Sequence, residues 1–135
     1  MNNTAPGGDT VHGAERIEAR LRAELPQWRH RDGCIQRTYR TSGWKATMMV
    51  VGAIAHLAEA AWHHPDLAVS YPSVTVRLMT HSAGGVTDKD FELARKIDEV
   101  VGWRPGRIAG SALEGTPDDP RFAYLEHDDA AGTPT

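Results

Sequence analysis

The segment from Trp44 to Trp62 limits the possible folds of this chain more than any other part of its sequence. Every residue in it is apolar or small apart from four polar ones, Lys45, Thr47, His56 and Glu59. Its length and composition predict one long helix. Because a helix that is apolar all round cannot turn one side to water, we expect it to be buried on more than one side.

A chain of 135 residues has little material with which to cover both sides of such a helix. Chains of this size normally form one domain with a single core. The simplest cover for the second side is another subunit, and we therefore expect a homo-oligomer. The alternative is a central helix that is wrapped within a monomer.

Charge and cysteine content exclude several classes of function. The formal net charge is -3 and there is no block of Lys or Arg, which argues against nucleic-acid binding because that requires a basic surface. Cys34 is the only cysteine, so a reducing compartment is the simplest interpretation. The N-terminus lacks the apolar core of a secretory signal, and the longest apolar stretch, Met48 to Ala55, is too short to span a bilayer. We expect a cytoplasmic protein with no membrane partner.

The first part of the chain predicts a helix and then a β-hairpin. Ile17, Leu21 and Leu25 recur at four-residue spacing, which indicates an amphipathic helix. The pair Asp32-Gly33 is typical of a tight hairpin turn. It precedes an alternating segment, Cys34 to Arg40, that predicts a strand.

The later part predicts two strands and a last helix. Val69 to Tyr71 is interpreted as a short strand, and Val74 to Met79 alternates between apolar and polar residues as a half-buried strand does. Thr87 and Asp90 have the spacing of a capping box. They predict a helix that continues to Val101, with an apolar face made of Phe91, Ala94, Ile97, Val100 and Val101.

These segments divide the chain into three parts. Residues 1–12 are small and polar and are predicted to be disordered. Residues 13–103 hold the periodic segments and form the predicted domain. Residues 104–135 are a Gly- and Pro-rich extension, with a more ordered stretch from Ala112 to Leu125 and disordered last residues.

Histidines and carboxylates are expected to converge near the end of the long helix. Glu59 and His63 lie four residues apart, so the carboxylate can pair with the imidazole. His64 follows at the helix C-terminus, where the dipole favours a charged imidazole. His81 ends a strand that should neighbour this helix end, and Asp90 is placed to orient one imidazole. Such a set suits general acid–base catalysis near neutral pH.

Three other interpretations compete with catalysis by these histidines. The first treats each histidine as an ordinary surface or helix-end residue. The second is a metal site, but the adjacent His63 and His64 point in different directions and the sequence has no HExxH spacing. The third is nucleophilic catalysis, but Cys34 has no histidine near it in sequence and Ser82 has no nucleophile elbow.

A gapless run of spaced residues connects these side chains, Glu59-x3-His63-His64-Pro65-x5-Tyr71-x9-His81-x8-Asp90. This run resembles the signature of pterin-4a-carbinolamine dehydratases, and the resemblance covers roughly residues 16–103. It implies an α+β domain in the order α-β-β-α-β-β-α, whose four-stranded antiparallel sheet carries three helices packed on one face. It also implies dimers or tetramers.

The resemblance implies an activity as well. Active members of that family dehydrate a 4a-hydroxytetrahydropterin, such as 4a-hydroxytetrahydrobiopterin, to the quinonoid dihydropterin. It implies that His63 and His81 transfer protons at the 4a-hydroxyl and the ring nitrogen. His64 and Asp90 would bind and orient the substrate, and Glu59 would set the charge of His63. No metal or cofactor is implied.

Three features depart from the pattern of active dehydratases. Trp62 stands just before the His-His-Pro run, where those enzymes usually have Asp or Asn. Its large ring either fills the pocket or packs outward against a neighbouring subunit. Tyr39 keeps the first ring of the family's Phe-x-Phe strand, but Thr41 replaces the second. The chain also continues beyond the last helix, where active members usually stop.

The extension, together with Leu57–Leu67 and Thr87–Ala94, is similar to a divergent branch of the family. That branch contains the dehydratase-like assembly factors for Rubisco, which are found with α-carboxysomes and in plants. It implies a chaperone for Rubisco subunits without dehydratase activity, in the cytoplasm or beside the carboxysome. The alternative is a working dehydratase that uses the complete Glu-His-His-His-Asp set. A cleft between His63, His64 and His81 that is open to a pterin favours the enzyme, and one closed by Trp62 or the extension favours the chaperone.

Overall fold

The structure, a computed structural model, describes residues 10–127. Its elements are α1 (Ala14–Glu24), β1 (Arg29–Arg31), β2 (Cys34–Arg40), α2 (Trp44–Ala61), β3 (Asp66–Ser70), β4 (Ser73–Leu78) and α3 (Asp88–Val101), followed by one turn of 3-10 helix (Pro105–Arg107). The predicted order α-β-β-α-β-β-α is confirmed. Most of the predicted disordered N-terminus, residues 1–9, and residues 128–135 lie outside the described residues.

The four strands form one antiparallel sheet in the order β1-β2-β4-β3. The turn between β1 and β2 holds Asp32 at φ 53 and Gly33 at φ 77, the two left-handed positions that a type I′ hairpin turn requires. The predicted hairpin is therefore confirmed. β3 begins earlier than predicted because Asp66 already pairs with Arg77 of β4, and Tyr71 lies in the turn that follows β3.

The sheet has one apolar face and one polar face. On the apolar face Ile35 lies opposite Leu78 and Tyr39 opposite Val74, and all four side chains are buried. On the other face the hydroxyl oxygens of Thr38 and Thr75 are 2.7 Å apart. The alternation along the strands therefore directs one row of side chains into the core and the other away from it.

The three helices pack on the apolar face of the sheet. α1 contributes Ile17 and Leu21 to the core, α2 contributes Val50 and Ile54, and α3 contributes Phe91, Ala94, Ile97 and Val101. This confirms the predicted apolar face of the last helix except at Val100, which is 43% exposed near the end of α3. No helix among residues 10–127 is both long and apolar enough to cross a membrane.

The long helix α2 is covered on only one side by the described residues. Val50 and Ile54 are buried against the sheet, whereas Trp44, Met48 and Met49 are about half exposed on the outer side. The alternative of a central helix wrapped within the monomer therefore does not hold for residues 10–127. An apolar helix face is left in contact with water in the single chain.

Asp98 ties α3 to the rest of the domain. Trp28 Nε1 donates to its Oδ2 over 3.0 Å, and the Arg37 guanidinium donates to its Oδ1 over 2.8 Å. The hydroxyl of Tyr39 donates to the same Oδ1. One carboxylate thus connects α3 with β2 and with the segment that follows α1.

The C-terminal extension packs on its own domain. The Ser42 N–H donates to the Tyr124 carbonyl over 3.1 Å, and the Glu126 N–H donates to the Arg40 carbonyl over 2.8 Å. Between them Thr41 and Leu125 form an antiparallel bridge. β1 pairs with β2 only as far as Gln36, so the extension occupies part of an edge that would otherwise be unpaired.

Candidate functional site

The buried carboxylate of Asp90 lies at the centre of the candidate site. Asp90 is the third residue of α3 and is fully buried. Its Oδ2 accepts a hydrogen bond from the Thr87 N–H over 2.9 Å, and the Thr87 hydroxyl accepts one from the Lys89 N–H over 3.2 Å. The predicted capping box is confirmed. It satisfies backbone donors at the start of α3 and fixes the carboxylate in one position.

The other oxygen of Asp90 faces His63. His63 Nε2 lies 2.6 Å from Asp90 Oδ1, and the imidazole is only 14% exposed. The Thr80 hydroxyl donates to Oδ2 over 2.9 Å, and Thr80 is itself buried. We assign the hydrogen to Nε2 of His63, because a carboxylate accepts hydrogen bonds and Thr87, Thr80 and His63 then all donate to Asp90. In the neutral imidazole Nδ1 is then the nitrogen that can accept a proton.

A left-handed turn at Trp62 brings His63 to this position. Trp62 has φ 54 and ψ 47. The His63 N–H donates to the Ala58 carbonyl over 3.1 Å, and the Trp62 N–H donates to the Glu59 carbonyl over 3.2 Å. These two bonds form a Schellman motif, in which glycine is the usual left-handed residue. A residue with a Cβ pays about 1–2 kcal/mol in this conformation, so Trp62 is strained.

This turn changes the predicted pairing of Glu59. The four-residue spacing predicted a contact between Glu59 and His63, but Glu59 Oε1 lies 3.0 Å from His64 Nε2 instead. The reason is that the helix ends at Ala61, so His63 no longer lies one helical turn above Glu59. The Glu59–His64 pair is largely exposed, and a pair of this kind contributes little to stability.

His81 lies at the edge of the site. It is exposed and begins the turn that follows β4, directly after Thr80. The Thr80 N–H donates to the Gly85 carbonyl over 2.9 Å, which closes this turn. The structure therefore joins His63 and Asp90 directly, links His81 to them through its neighbour Thr80, and keeps Glu59 with His64 as a separate pair.

Thr80 is a functional residue that was not predicted from the sequence. Its hydroxyl lies within hydrogen-bond distance of both Asp90 Oδ2 and the Thr87 hydroxyl, at 2.9 and 2.7 Å. The sequence signal that could have indicated Thr80 is its place directly before His81, at the end of an alternating strand. The buried threonine thus gives Asp90 Oδ2 a second donor beside the Thr87 N–H.

An open groove of about 680 Å³ lies beside His63, between α2 and α3. Its lining is largely apolar with a few charged side chains, namely Leu57, Ala60, Ala61, Trp62, His63, Lys89, Glu92, Leu93 and Lys96. Its volume is in the range of small-molecule sites. His64, His81 and the extension do not line it.

Trp62 forms one wall of this groove and does not fill it. Its side chain is 75% exposed, and its ring meets the edge of the His64 ring with 5.1 Å between centroids. Among residues 10–127, no group of three or more His, Cys, Asp or Glu side chains is arranged to hold a metal ion. Cys34 is buried, and its Sγ lies 3.9 Å from the Arg77 guanidinium.

Comparison with known proteins relates the chain to one family. The family model described as pterin 4 alpha carbinolamine dehydratase matches residues 11–100. A putative pterin-4-alpha-carbinolamine dehydratase of Aquifex aeolicus is 53% identical over 77 residues, which covers 57% of this chain and 78% of that protein. Another from Chloroflexus aurantiacus is 46% identical over 80 residues, which covers 59% of this chain and 86% of that protein.

Two solved structures were also similar. A transcriptional coactivator/pterin dehydratase from Brucella melitensis has a TM-score of 0.63 and 29% identity, and the match covers 69% of this chain and 100% of that chain. A pterin dehydratase-like protein described as a RuBisCO assembly factor in the alpha-carboxysome has a TM-score of 0.47 and 16% identity, covering 56% of this chain and 87% of that chain. The second similarity is too low to support an inference about function.

Replacing Trp62 by glycine should stabilise the protein by about 1 kcal/mol, because glycine adopts the left-handed conformation without steric strain. The exposed indole contributes little burial that could offset this gain. Urea unfolding followed by circular dichroism measures the difference. Ala60→Gly is the matched control, since it adds the same freedom to the unfolded chain within the helix and should lose about 1 kcal/mol. An equal decrease in the free energy of unfolding in both variants would contradict strain at Trp62.

Proposed function

This chain belongs to the pterin-4a-carbinolamine dehydratase family, and on that premise we propose that it removes water from a 4a-hydroxytetrahydropterin to give the quinonoid dihydropterin. The observation that carries the proposal is the imidazole of His63, which is held by the buried Asp90 and opens onto a groove large enough for a pterin. The groove is not closed by Trp62 or by the extension. Of the three histidines expected to surround the cleft, His63 lines this groove and His64 and His81 do not, so the groove supports the enzyme through His63 alone.

The proposed reaction needs one base and one acid. His63 Nδ1 takes the proton from the ring nitrogen next to C4a, a carbon–nitrogen double bond forms, and the C4a–oxygen bond breaks. His81 has the acid's role by family resemblance. It lies outside the lining of the groove, directly after Thr80, so in this scheme the reacting edge of the pterin extends beyond the groove toward it. His81, protonated at the start, gives its proton to the departing hydroxyl, which leaves as water. Proton exchange with solvent restores both histidines, so the net change is loss of one water molecule from the substrate. General acid–base catalysis of this kind is typical of histidine pairs.

Asp90 supports the base in this scheme. Its carboxylate accepts from His63 Nε2, which holds the ring in one tautomer and stabilises the imidazolium that forms when Nδ1 takes a proton. Burial of Asp90 keeps this interaction away from competing water. The substrate-binding role that the resemblance implies for His64 would act outside the groove lining, where its imidazole pairs with the exposed Glu59.

His63→Ala and His81→Ala should each lower kcat by about 100-fold or more, the usual contribution of a positioned acid or base. The rate of dehydration is measured by stopped-flow absorbance, with the 4a-hydroxytetrahydropterin generated in the observation chamber. His30→Ala is the control, because His30 lies on β1, outside the groove, and should leave kcat unchanged. A wild-type protein without turnover would refute the proposed activity.

We also propose that the protein is a homo-oligomer, a dimer or a tetramer, assembled through the outer face of α2. Trp44, Met48 and Met49 are about half exposed there in the single chain, and adjacent large apolar side chains in water usually mark an interface. Light scattering after size exclusion should give a mass of at least two chains. Met49→Glu should reduce that mass, whereas Ala19→Glu, at an exposed position on α1, adds the same charge elsewhere and should not. A monomeric wild type would contradict the proposal.

A second candidate function is assembly of Rubisco at the α-carboxysome, with the protein in the cytoplasm or beside that compartment. The observation that favours it is the extension, which lies beyond the family match and leaves Ile108, Leu113 and Phe122 about half exposed. These side chains offer contacts for Rubisco subunits. Co-expression with Rubisco subunits should raise the yield of soluble assembled enzyme, and Phe122→Ser should reduce the effect. If co-expression does not raise the yield and the protein does not co-purify with Rubisco subunits, this candidate is refuted.

A further inference from the structure

Val11 and His12, which precede α1, contact the segment that leads into α3. The His12 N–H donates to the Val86 carbonyl over 2.9 Å, and Val86 is buried. Val11 lies beside Gly85, where a Cβ would come within 2.7 Å of Val11 Cγ1. The backbone of Gly85 is not left-handed, so its conformation does not require glycine. The close approach of Val11 does, because it leaves no space for a Cβ.

The side chain of His12 extends this contact to the first residue of α3. His12 Nε2 lies 2.9 Å from Asp88 Oδ1, and the imidazole is only 7% exposed. Arg20 of α1 donates to the same oxygen over 2.6 Å, and its guanidinium lies 4.0 Å from the centroid of the Phe91 ring. The hydrogen bond from His12 and then the one from Arg20 hold the pKa of Asp88 below its ordinary value. Asp88 is therefore a charged acceptor at neutral pH.

The segment held in this way carries the candidate site on its other side. Gly85 accepts from the Thr80 N–H, and Thr87 donates its N–H to Asp90, which faces His63. A displacement of residues 85–88 would move the Thr87 N–H that donates to Asp90 and would change the distance between Asp90 and His63. Displacements of about 1 Å in a catalytic arrangement lower rates by up to about 100-fold.

We propose that Val11 and His12 are positioning residues for the dehydration reaction. Their contacts with residues 85–88, together called the clasp, keep Asp90 in place, so that it holds the His63 ring in the tautomer whose Nδ1 can accept a proton. The inference rests on the proposed function for its kinetic consequence. Its structural consequence, the state of the His63 ring, is independent of any activity. Neither residue touches the groove or the reacting atoms, and their effect passes through the backbone of residues 85–88 to Asp90.

The first experiment compares His12→Ala with His12→Gln. Glutamine keeps a side-chain N–H donor for Asp88, whereas alanine removes it. His12→Ala should lower kcat about tenfold with KM nearly unchanged, and His12→Gln should restore most of the rate. In ¹⁵N spectra of the histidine rings, the His63 signals, assigned by their loss in His63→Ala, should move toward a mixture of tautomers in His12→Ala and not in His12→Gln.

The second experiment tests the contact between Val11 and Gly85 by steric suppression. Gly85→Ala should force Val11 away and produce the same change in kcat and in the His63 signals as His12→Ala. Adding Val11→Ala removes both Cγ atoms and leaves the new methyl group about 3.7 Å from the Val11 Cβ, an ordinary contact. The double variant should therefore recover much of the wild-type behaviour, which also shows that Gly85→Ala does not simply prevent folding.

The outcomes separate the clasp from the proposed function. If the wild type has no turnover but the His63 signals respond as described, the clasp holds and the dehydratase proposal fails. If His12→Ala and Gly85→Ala leave the His63 signals and kcat as in the wild type, the clasp is refuted whatever the activity. A loss of folded protein in His12→Ala without change in the His63 signals of the folded fraction would assign His12 a purely structural role and would also refute it.

Discussion

The buried carboxylate of Asp90 is the constraint on which the candidate site depends. A carboxylate without contact to water is stable only if hydrogen-bond donors surround it. Here those donors come from three places in the fold, the N–H of Thr87, the hydroxyl of Thr80 and the imidazole of His63. The start of α3, the end of β4 and the chain after α2 must therefore meet at one point. The need to satisfy one charge thus aligns the elements that form the site.

A second carboxylate on the same helix performs the matching structural task. Asp98 accepts hydrogen bonds from Trp28, Arg37 and Tyr39 and so ties α3 to β2 and to the segment after α1. Asp90 and Asp98 lie about two helical turns apart on α3, so the helix is held to the sheet at one and to the site at the other. This double attachment gives Asp90 a rigid base, which positioning of a catalytic imidazole requires.

The sequence predicted the partners of α3 better than those of α2. The capping box of Thr87 and Asp90 depends only on residues within one helical turn, and it was found as predicted. The predicted contact of Glu59 with His63 assumed that the helix continues through His63, but the left-handed Trp62 ends it first. Local spacing cannot show such a turn when a tryptophan occupies the position that glycine usually takes.

The sequence by itself determined the order of helices and strands, the hairpin at Asp32 and Gly33, and the family, because each depends on spacing along the chain. The tertiary structure alone decided that Asp90 holds His63, that Thr80 completes the carboxylate's bonds, and that Trp62 lies along the groove. It also decided that the extension lies on the edge of β2. These outcomes depend on which distant segments meet and which buried polar groups then need partners, and a linear pattern does not record either.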